Sequence, residues 1–252
     1  MEDIKVKVEK LKKIINGARR IVVFTGAGIS VASGIPDFRS ADGLYNQNGL
    51  VGATPEEIIS HTFFVNRTKD FYKFYFKSMV YETAQPNLAH SYFANLEKLG
   101  KVIAVVTQNI DGLHQKAGSK NVYELHGNVL RNNCTNCGRF HTLSEVKQSA
   151  GNTLDGVPRC KICGGIVKPD VVLYEESLLD DTVDGAINAI QSADTLIVVG
   201  TSLVVYPAAG FLRFFKGDNL VLINKDKTPY DSYANLVIND DIITTVQDLI
   251  GN

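Results

Sequence analysis

The 252-residue chain lacks an excess of either charge: 26 Lys and Arg stand against 27 Asp and Glu, a net of −1. With no global field of one sign, nothing draws it to nucleic acid or to an anionic membrane. It also lacks an unbroken apolar run. The most apolar window, residues 195–212, is interrupted by Gly200, Thr201, Ser202 and Pro207, so it reads as a strand, a loop and a helix and not as a membrane span. The first residues are charged and carry no apolar stretch of the secretory kind. No internal repeat or low-complexity tract is present. Together these absences set the expectation of a soluble, cytoplasmic protein with no membrane partner and no direct nucleic-acid partner. What basic excess exists is local. Lys5, Lys7, Lys10, Lys12, Lys13, Arg19 and Arg20 alternate with Ile4, Val8, Leu11 and Ile15, the pattern of an amphipathic helix with a solvated basic face. That reading is preferred to an interaction tail.

What is present begins with Ile21-Val22-Val23-Phe24-Thr25, an apolar run that ends in Gly26-Ala27-Gly28-Ile29-Ser30. β-branched and aromatic residues without charge describe a strand covered on both faces. Glycines directly after such a strand allow a sharp turn and close approach to a phosphate, and a helix starting near Ser30 would favour that anion. The turn lacks the third glycine of the common dinucleotide fingerprint, so by itself it leaves nucleotide binding and a structural turn both open. Residues 31–52 are polar and contain Gly34-Ile35-Pro36-Asp37-Phe38-Arg39. Long ordered loops at such a place are often functional.

Further strands are expected over residues 102–107, 122–125, 196–199 and 220–223. Helices are expected over residues 9–18, 87–99, 180–193, 208–215 and 242–250. Alternating strands and helices imply an α/β fold, a parallel sheet with helices on both faces. Residues 54–83 read as helical and hold Phe63, Phe64, Phe71, Tyr72, Phe74, Tyr75, Phe76 and Tyr81. A small module packed on its own aromatics is the main reading, with an aromatic wall toward a ligand as an addition. The second strand runs into Gln108-Asn109-Ile110-Asp111-Gly112-Leu113-His114. Polar groups at a strand's carboxyl end belong beside the glycine turn, because open α/β sheets bind ligands at that edge.

Cys134-Thr135-Asn136-Cys137 and Cys160-Lys161-Ile162-Cys163 form two Cys-x2-Cys pairs. Two such knuckles can close a tetrahedral shell of thiolates around one Zn2+ with no position left for water, which makes the ion structural. Disulfides or a redox dithiol are the alternatives; the expected reducing compartment and the duplication of the pair disfavour them. Arg131, Arg139, Arg159, Lys161 and Lys168 are expected to offset the charge of the site.

Read together, the glycine turn, Gly34 through Arg39, Gln108 through Asp111, His126-Gly127, the two cysteine pairs, Gly200-Thr201-Ser202-Leu203 and Asn224 resemble, in this order, the sirtuins, the NAD-dependent protein deacylases. The chain is similar to the bacterial-type, zinc-containing members. The resemblance implies a discontinuous Rossmann-like NAD domain over residues 1–42, 84–130 and 169–252. A small domain would comprise a helical insertion, 43–83, and a zinc ribbon, 131–168. It implies that Gly26, Ala27, Gly28, Ile35, Asp37, Phe38, Arg39, Gly200, Thr201, Ser202, Asn224, Lys225, Asp241 and Ile242 contact NAD. Gln108, Asn109, Ile110 and Asp111 would surround the nicotinamide and its ribose. His126 would be the base, assisted by Asn109. Val171, Val172, Leu173, Tyr174 and Val205 would hold an acetylated peptide as an added strand.

The implied reaction consumes NAD, releases nicotinamide and moves the acetyl group from lysine to ADP-ribose. Mono-ADP-ribosyl transfer to protein, or NAD binding without catalysis, are the competing readings. Three departures stand out: Asn128 for Ser or Thr, Glu175 where the family often has Gly, and Tyr72-Lys73-Phe74-Tyr75 where desuccinylating members use Tyr-x-x-Arg. The last, with Tyr75 in place of Arg, implies an uncharged acyl group. His61, His90, His114 and His141 are expected to be structural.

Overall fold

The computed structural model describes residues 3–38, 43 and 52–251. In chain order, α1 (Ile4–Gly17) leads into β1 (Ile21–Thr25) and a 3-10 turn at Ala27–Ser33. Three short helices follow, α2 (Pro55–Ile58), α3 (His61–Asn66) and α4 (Thr68–Ser78), and then α5 (Leu88–Lys98), β2 (Val102–Thr107), α6 (Leu113–Ala117) and β3 (Val122–Glu124). β4 (Gly127–Cys134), β5 (Phe140–Thr142), α7 (Leu143–Gly151) and β6 (Val167–Val171) form the middle of the chain. It closes with α8 (Asp180–Ser192), β7 (Thr195–Val199), a 3-10 helix at Ala208–Phe214, β8 (Asn219–Ile223), β9 (Leu236–Ile238) and α9 (Ile242–Ile250).

Six strands make one sheet in the order β3-β2-β1-β7-β8-β9, and every neighbouring pair in it is parallel. This is the strand order of the doubly wound dinucleotide-binding fold, whose direction reverses between β1 and β7. The strands feed two cores because successive side chains alternate. Ile21 and Val23 pack with α1, α5 and α9 through Leu11, Ile15, Phe93 and Val246. Val22 and Phe24 face the other side, against Ala186 and Ile190 of α8 and Phe211 of the 3-10 helix.

The first helix starts at Ile4, earlier than its apolar periodicity suggests, because Asp3 caps it by accepting the Lys5 N–H at 3.1 Å. Its other end is closed by Lys101, whose ammonium donates to the carbonyls of Ile15, Asn16 and Ala18. Those carbonyls have no partner within the helix, so a cation there is doubly favourable. The expected helix over residues 208–215 is 3-10 throughout. The helix expected near Ser30 is instead a seven-residue 3-10 segment that begins at Ala27.

The second sheet is antiparallel, three strands in the order β5-β4-β6. β4 crosses residue 130 and β6 crosses residue 169, so the chain enters and leaves this sheet within strands and not through linkers. Arg131 ties the two sheets together by donating to Glu124 of β3 at 2.6 Å and to Asp170 of β6 at 2.8 Å. The aromatic helices fold onto β4 and β6: Phe64, Phe71, Tyr72 and Tyr75 pack with Val129, Val171 and Leu173. Their rings meet mostly edge to face at 5.0–6.2 Å, the arrangement the ring quadrupoles favour. Helix α7 was hidden in the cysteine-rich segment, although Thr142 and Glu145 make the reciprocal cap that marks a helix start.

Candidate active site

The carboxyl ends of β1, β2 and β7 open into one cavity of about 740 Å³. Its floor is where the two glycine loops meet. Gly26 donates its N–H to Val199, and Gly28 donates to the Gly200 carbonyl at 2.8 Å. A Cβ on Gly28 would lie 2.7 Å from the Gly200 Cα, and one on Gly200, whose φ is +61°, would lie 2.4 Å from the Ile29 nitrogen. The first role of these glycines is therefore backbone packing across the switch point, which fixes the shape of the cradle that any ligand meets.

Gln108 and Asn109 leave β2 into this floor. The Gln108 side chain donates to Thr201 Oγ1 at 3.0 Å, and the Asn109 amide donates to the Gly26 carbonyl and to Ser30 Oγ, both at 3.1 Å. Ser30 in turn donates to Asp111 at 2.7 Å, and Asp111 also accepts the Leu113 N–H. Burial raises the Asp111 pKa, against these hydrogen bonds, which lower it. A carboxylate with fixed donors beside a cavity suits a ribose hydroxyl or an amide.

His126 stands at the end of the short edge strand, held by a bond between its Nδ1 and the Gln108 carbonyl at 2.9 Å. A carbonyl can only accept, so Nδ1 carries the proton and Nε2 keeps its lone pair. Burial lowers the pKa of the ring, and the Gln108 carbonyl opposes that shift. The imidazole is thus neutral at pH 7 and able to take a proton. Gly127 follows because its φ is +75° and a Cβ there would meet the Asp170 carbonyl at 1.9 Å; no other residue lets β4 pair with β6 directly after the histidine.

The wall opposite the nucleotide cradle is the stretch after β6. Tyr174 donates its N–H to Ile59 and accepts from the His61 N–H, while Val172 donates to the His126 carbonyl. Glu176 gathers the segment, accepting from Leu173 N–H and Lys168 and pairing with His61 at 2.9 Å. Glu175 adopts a φ of +76° and accepts the Thr62 N–H at 2.8 Å. The glycine expected by resemblance is thus replaced by a residue that keeps the left-handed backbone and uses its carboxylate as a tie.

Of the residues singled out from sequence, Gly26, Ala27, Gly28, Ile35, Asp37, Phe38, Gln108, Asn109, Ile110, Asp111, His126, Val171, Val172, Leu173, Tyr174, Gly200, Thr201, Ser202, Val205 and Asn224 all line the cavity. Lys225, Asp241 and Ile242 do not. Lys225 pairs with Asp241 at 2.9 Å, Asp241 caps α9, and Ile242 is buried in the core. Arg39 lies outside the described residues. Sequence reasoning missed Ile59, Met79, Val80, Leu143 and Leu178, apolar lining contributed by four separate segments. No local motif marks them.

Tyr72 and Tyr75 do not reach the site where they were expected to bear on acyl choice. Tyr72 donates its hydroxyl to the Val167 carbonyl, and both rings are buried in the aromatic core and away from the cavity. Their spacing on α4 turns them inward, so they say nothing about the acyl group.

The four cysteines converge, their Sγ atoms all within 4.8 Å of one another. Cys134 and Cys163 are 3.4 Å apart, and Cys137 and Cys160 3.8 Å. These separations are too long for disulfides and match the edges of about 3.8 Å of a tetrahedron with Zn–S bonds of about 2.3 Å. The donor set thus fits one Zn2+. Of the five cations expected to offset the charge of the site, Arg131, Arg159 and Lys168 are paired with carboxylates. Backbone N–H groups take that role, lowering Cys160 to about 7 and Cys163 to about 6. The Arg139 N–H draws Cys137 down too, but its bonds to the other three sulfurs prevail and leave it at about 11. Four thiolates at this spacing call for a dication.

A parallel sheet of this order, with glycine loops meeting at its switch point and a polar strand end beside them, defines a dinucleotide-binding protein of the doubly wound class. Residues 26–207 match the model of the Sir2 family, and the chain belongs to that family. It is 56% identical over 237 residues to an NAD-dependent protein deacetylase of Clostridium perfringens, covering 94% of this chain and 95% of that one. A protein of the same name from Clostridium acetobutylicum is 54% identical, with 97% and 98% covered. The solved structure described as Sir2 with a p53 peptide and NAD+ superposes with a TM-score of 0.85 at 38% identity, covering 96% of this chain and 97% of that one. No helix among the described residues is long and apolar enough to cross a membrane.

Proposed function

We propose that this chain is an NAD-dependent protein-lysine deacetylase in which His126 is the general base. The observation that carries the assignment is the bond from His126 Nδ1 to the Gln108 carbonyl, which leaves a neutral, basic Nε2 in the same cavity as the glycine cradle, Asn109 and Asp111. The net reaction takes acetyl-lysine, NAD and water to lysine, nicotinamide and O-acetyl-ADP-ribose. The acyl group passes to ADP-ribose, which makes the enzyme a transferase in chemistry and a consumer of water in net balance.

In this reading Gly26, Ala27, Gly28, Gly200, Thr201 and Ser202 cradle the dinucleotide phosphates. Asn109 and Asp111 orient the nicotinamide end and the ribose. His126 accepts a ribose hydroxyl proton at Nε2, so that the hydroxyl oxygen can take the acyl group. Residues 171–174 and Val205 form the two sides of a slot in which the substrate peptide pairs as a strand. Cys134, Cys137, Cys160 and Cys163 hold Zn2+, which supplies structure to the small module and takes no part in proton transfer. The division at 1–42, 84–130 and 169–252 against 43–83 and 131–168 is kept as the domain description, with the antiparallel sheet shared across its borders. A metal site of four thiolates, where a secreted chain would use disulfides, supports a cytoplasmic setting.

The test is nicotinamide release from NAD with and without an acetyl-lysine peptide, with mass spectrometry of both products. Peptide-dependent release with formation of O-acetyl-ADP-ribose is expected. Peptide-independent consumption of NAD, or ADP-ribose retained on protein, would overturn the assignment in favour of ADP-ribosyl transfer.

A further inference from the structure

Beneath the nicotinamide end of the cavity lies a buried polar cluster that the proposed chemistry does not use. Thr25, Thr107, His90 and His114 are each 0–2% exposed. Thr25 and Thr107 are register partners at the ends of β1 and β2. The Thr25 hydroxyl donates to Thr107 Oγ1 at 2.8 Å, and Thr107 Oγ1 also accepts the backbone N–H of Asn109 at 3.0 Å. Having given its only proton to Thr107, Thr25 must accept from its other partner, His114 Nε2, at 3.0 Å. That fixes the His114 tautomer as Nε2–H, with a lone pair at Nδ1.

His90 completes the pattern. Its Nδ1 accepts the Asn87 N–H, so its proton is on Nε2. Nε2 of His90 and Nδ1 of His114 are both buried without a partner among the described residues, one a donor and the other an acceptor, on rings whose centroids are 4.9 Å apart. Burial holds His90 down to about 4 and His114 down to about 3, so both rings stay neutral and this order of donors and acceptors persists at working pH.

We propose that His114 is a positioning residue for Asn109, acting through Thr25 and Thr107. The inference rests on the deacetylase reading of the cavity. Asn109 spans the nucleotide cradle through Gly26 and Ser30, and among the side chains of the described residues Thr107 alone ties down its backbone. A Thr107 hydroxyl held in one orientation keeps that tie; a freely rotating one weakens it. His114 supplies the end of the chain that holds the orientation. Its effect falls on NAD and nicotinamide and leaves the peptide slot untouched.

The experiment compares His114→Leu, His114→Gln and Thr107→Val in the full chain, with NAD and an acetyl-lysine peptide. His114→Leu removes the donor and is expected to raise KM for NAD and weaken inhibition by nicotinamide, each about fivefold to tenfold, the scale of one lost hydrogen bond. KM for the peptide stays within about twofold. His114→Gln keeps an N–H for Thr25 and recovers most of the loss. Thr107→Val reproduces the His114→Leu phenotype, and the double variant is no worse than either single one, because both cut one chain.

Unchanged NAD and nicotinamide constants in His114→Leu would overturn the proposal, as would effects that multiply in the double variant or a parallel rise in peptide KM. If His114→Leu does not fold, Thr107→Val with normal NAD kinetics overturns it alone. A parent protein that shows no peptide-dependent nicotinamide release sinks the deacetylase reading instead, so the two failures are distinct.

Discussion

The two sheets of this molecule are stabilised in different ways. The parallel sheet is held by what it buries: Ile21, Val22, Val23 and Phe24 are all 0% exposed, with helices on both faces. The antiparallel sheet packs one end on the aromatic core, through Val129 and Val171, and its other end on a cluster of two cysteines, Val146 and Val167, too little apolar surface to hold that end alone. One region can afford loops full of polar groups because its core is elsewhere; the other depends on a cation. The difference teaches why catalysis and metal are separated. The groups proposed to react sit on ends of strands that burial fixes, and the cysteine cluster lies at the opposite end of β4 from His126 and Gly127.

The strongest test of that contrast is removal of the metal. Chelation, or Cys160→Ser, is expected to strip hydrogen-exchange protection from β4, β5, α7 and β6 while β1, β2, β7 and β8 keep theirs. Activity falls with it, because Leu143 of the small module and Val129 of β4 line the cavity. Uniform loss of protection in both sheets would show that the parallel sheet also rests on the ion. Next in size is His126→Ala, expected to lower turnover by about 10²–10⁴ with NAD affinity kept within a few fold by calorimetry. Here the parallel sheet loses chemistry without losing its fold. A variant with more than a tenth of the parent turnover would remove His126 from its role.

Much of this contrast was legible beforehand. Fully apolar strands ending in Gly26-Ala27-Gly28 and Gln108-Asn109 gave the parallel sheet and its ligand edge, because burial on both faces leaves a plain signature. Cysteine spacing gave the metal. What was not legible depends on distant contacts. The glycine turn reads as a phosphate loop, but its tightest neighbour is Gly200, over 170 residues away. β4 and β6 are disguised by Asn128, Asn132, Asn133 and Pro169, residues a propensity reading rejects; Asn128 and Asn132 are buried there because their side chains hydrogen-bond to Glu124, Leu130, Val129 and His141. Tyr72 and Tyr75 misled because helical phase, and not sequence spacing, decides which face meets the cavity.

Acid probes the two regions next. The His90 and His114 rings, on α5 and α6, lie beside the parallel sheet, and burial lowers both; His126 is lowered as well. Below the ordinary histidine value of about 6.5 the unfolded chain takes up these protons while the folded one does not. Stability is therefore complete above about pH 6.5 and falls as pH drops from there toward 4. The slope approaches about 1.4 kcal/mol per pH unit for each ring. Urea titrations at pH 7, 6 and 5 check this, and His90→Gln should flatten the slope by about one proton. A parent protein equally stable at pH 7 and 5 would mean that the rings are hydrated. The acid limb of turnover is expected below pH 6.5, since the proposed base, His126, has to be neutral to take a proton.

The smallest effect is expected at Glu175, where the two regions touch. Its φ of +76° suits glycine, yet its carboxylate holds the Thr62 N–H and so ties α3 to the peptide wall. Glu175→Gly relieves the backbone and frees that N–H, which Ser60 does not replace because its hydroxyl already accepts from Phe63. Both groups are exposed, so water takes the vacated bond, and the two changes oppose each other. The melting temperature is expected to move by less than about 4 °C, with KM for a neutral acetyl-lysine peptide within about threefold. A larger fall in Tm would show that the Glu175 tie, and not the pairing of Tyr174 with Ile59 and His61, sets the wall, making the small module less dependent on its metal than the contrast of the two sheets requires.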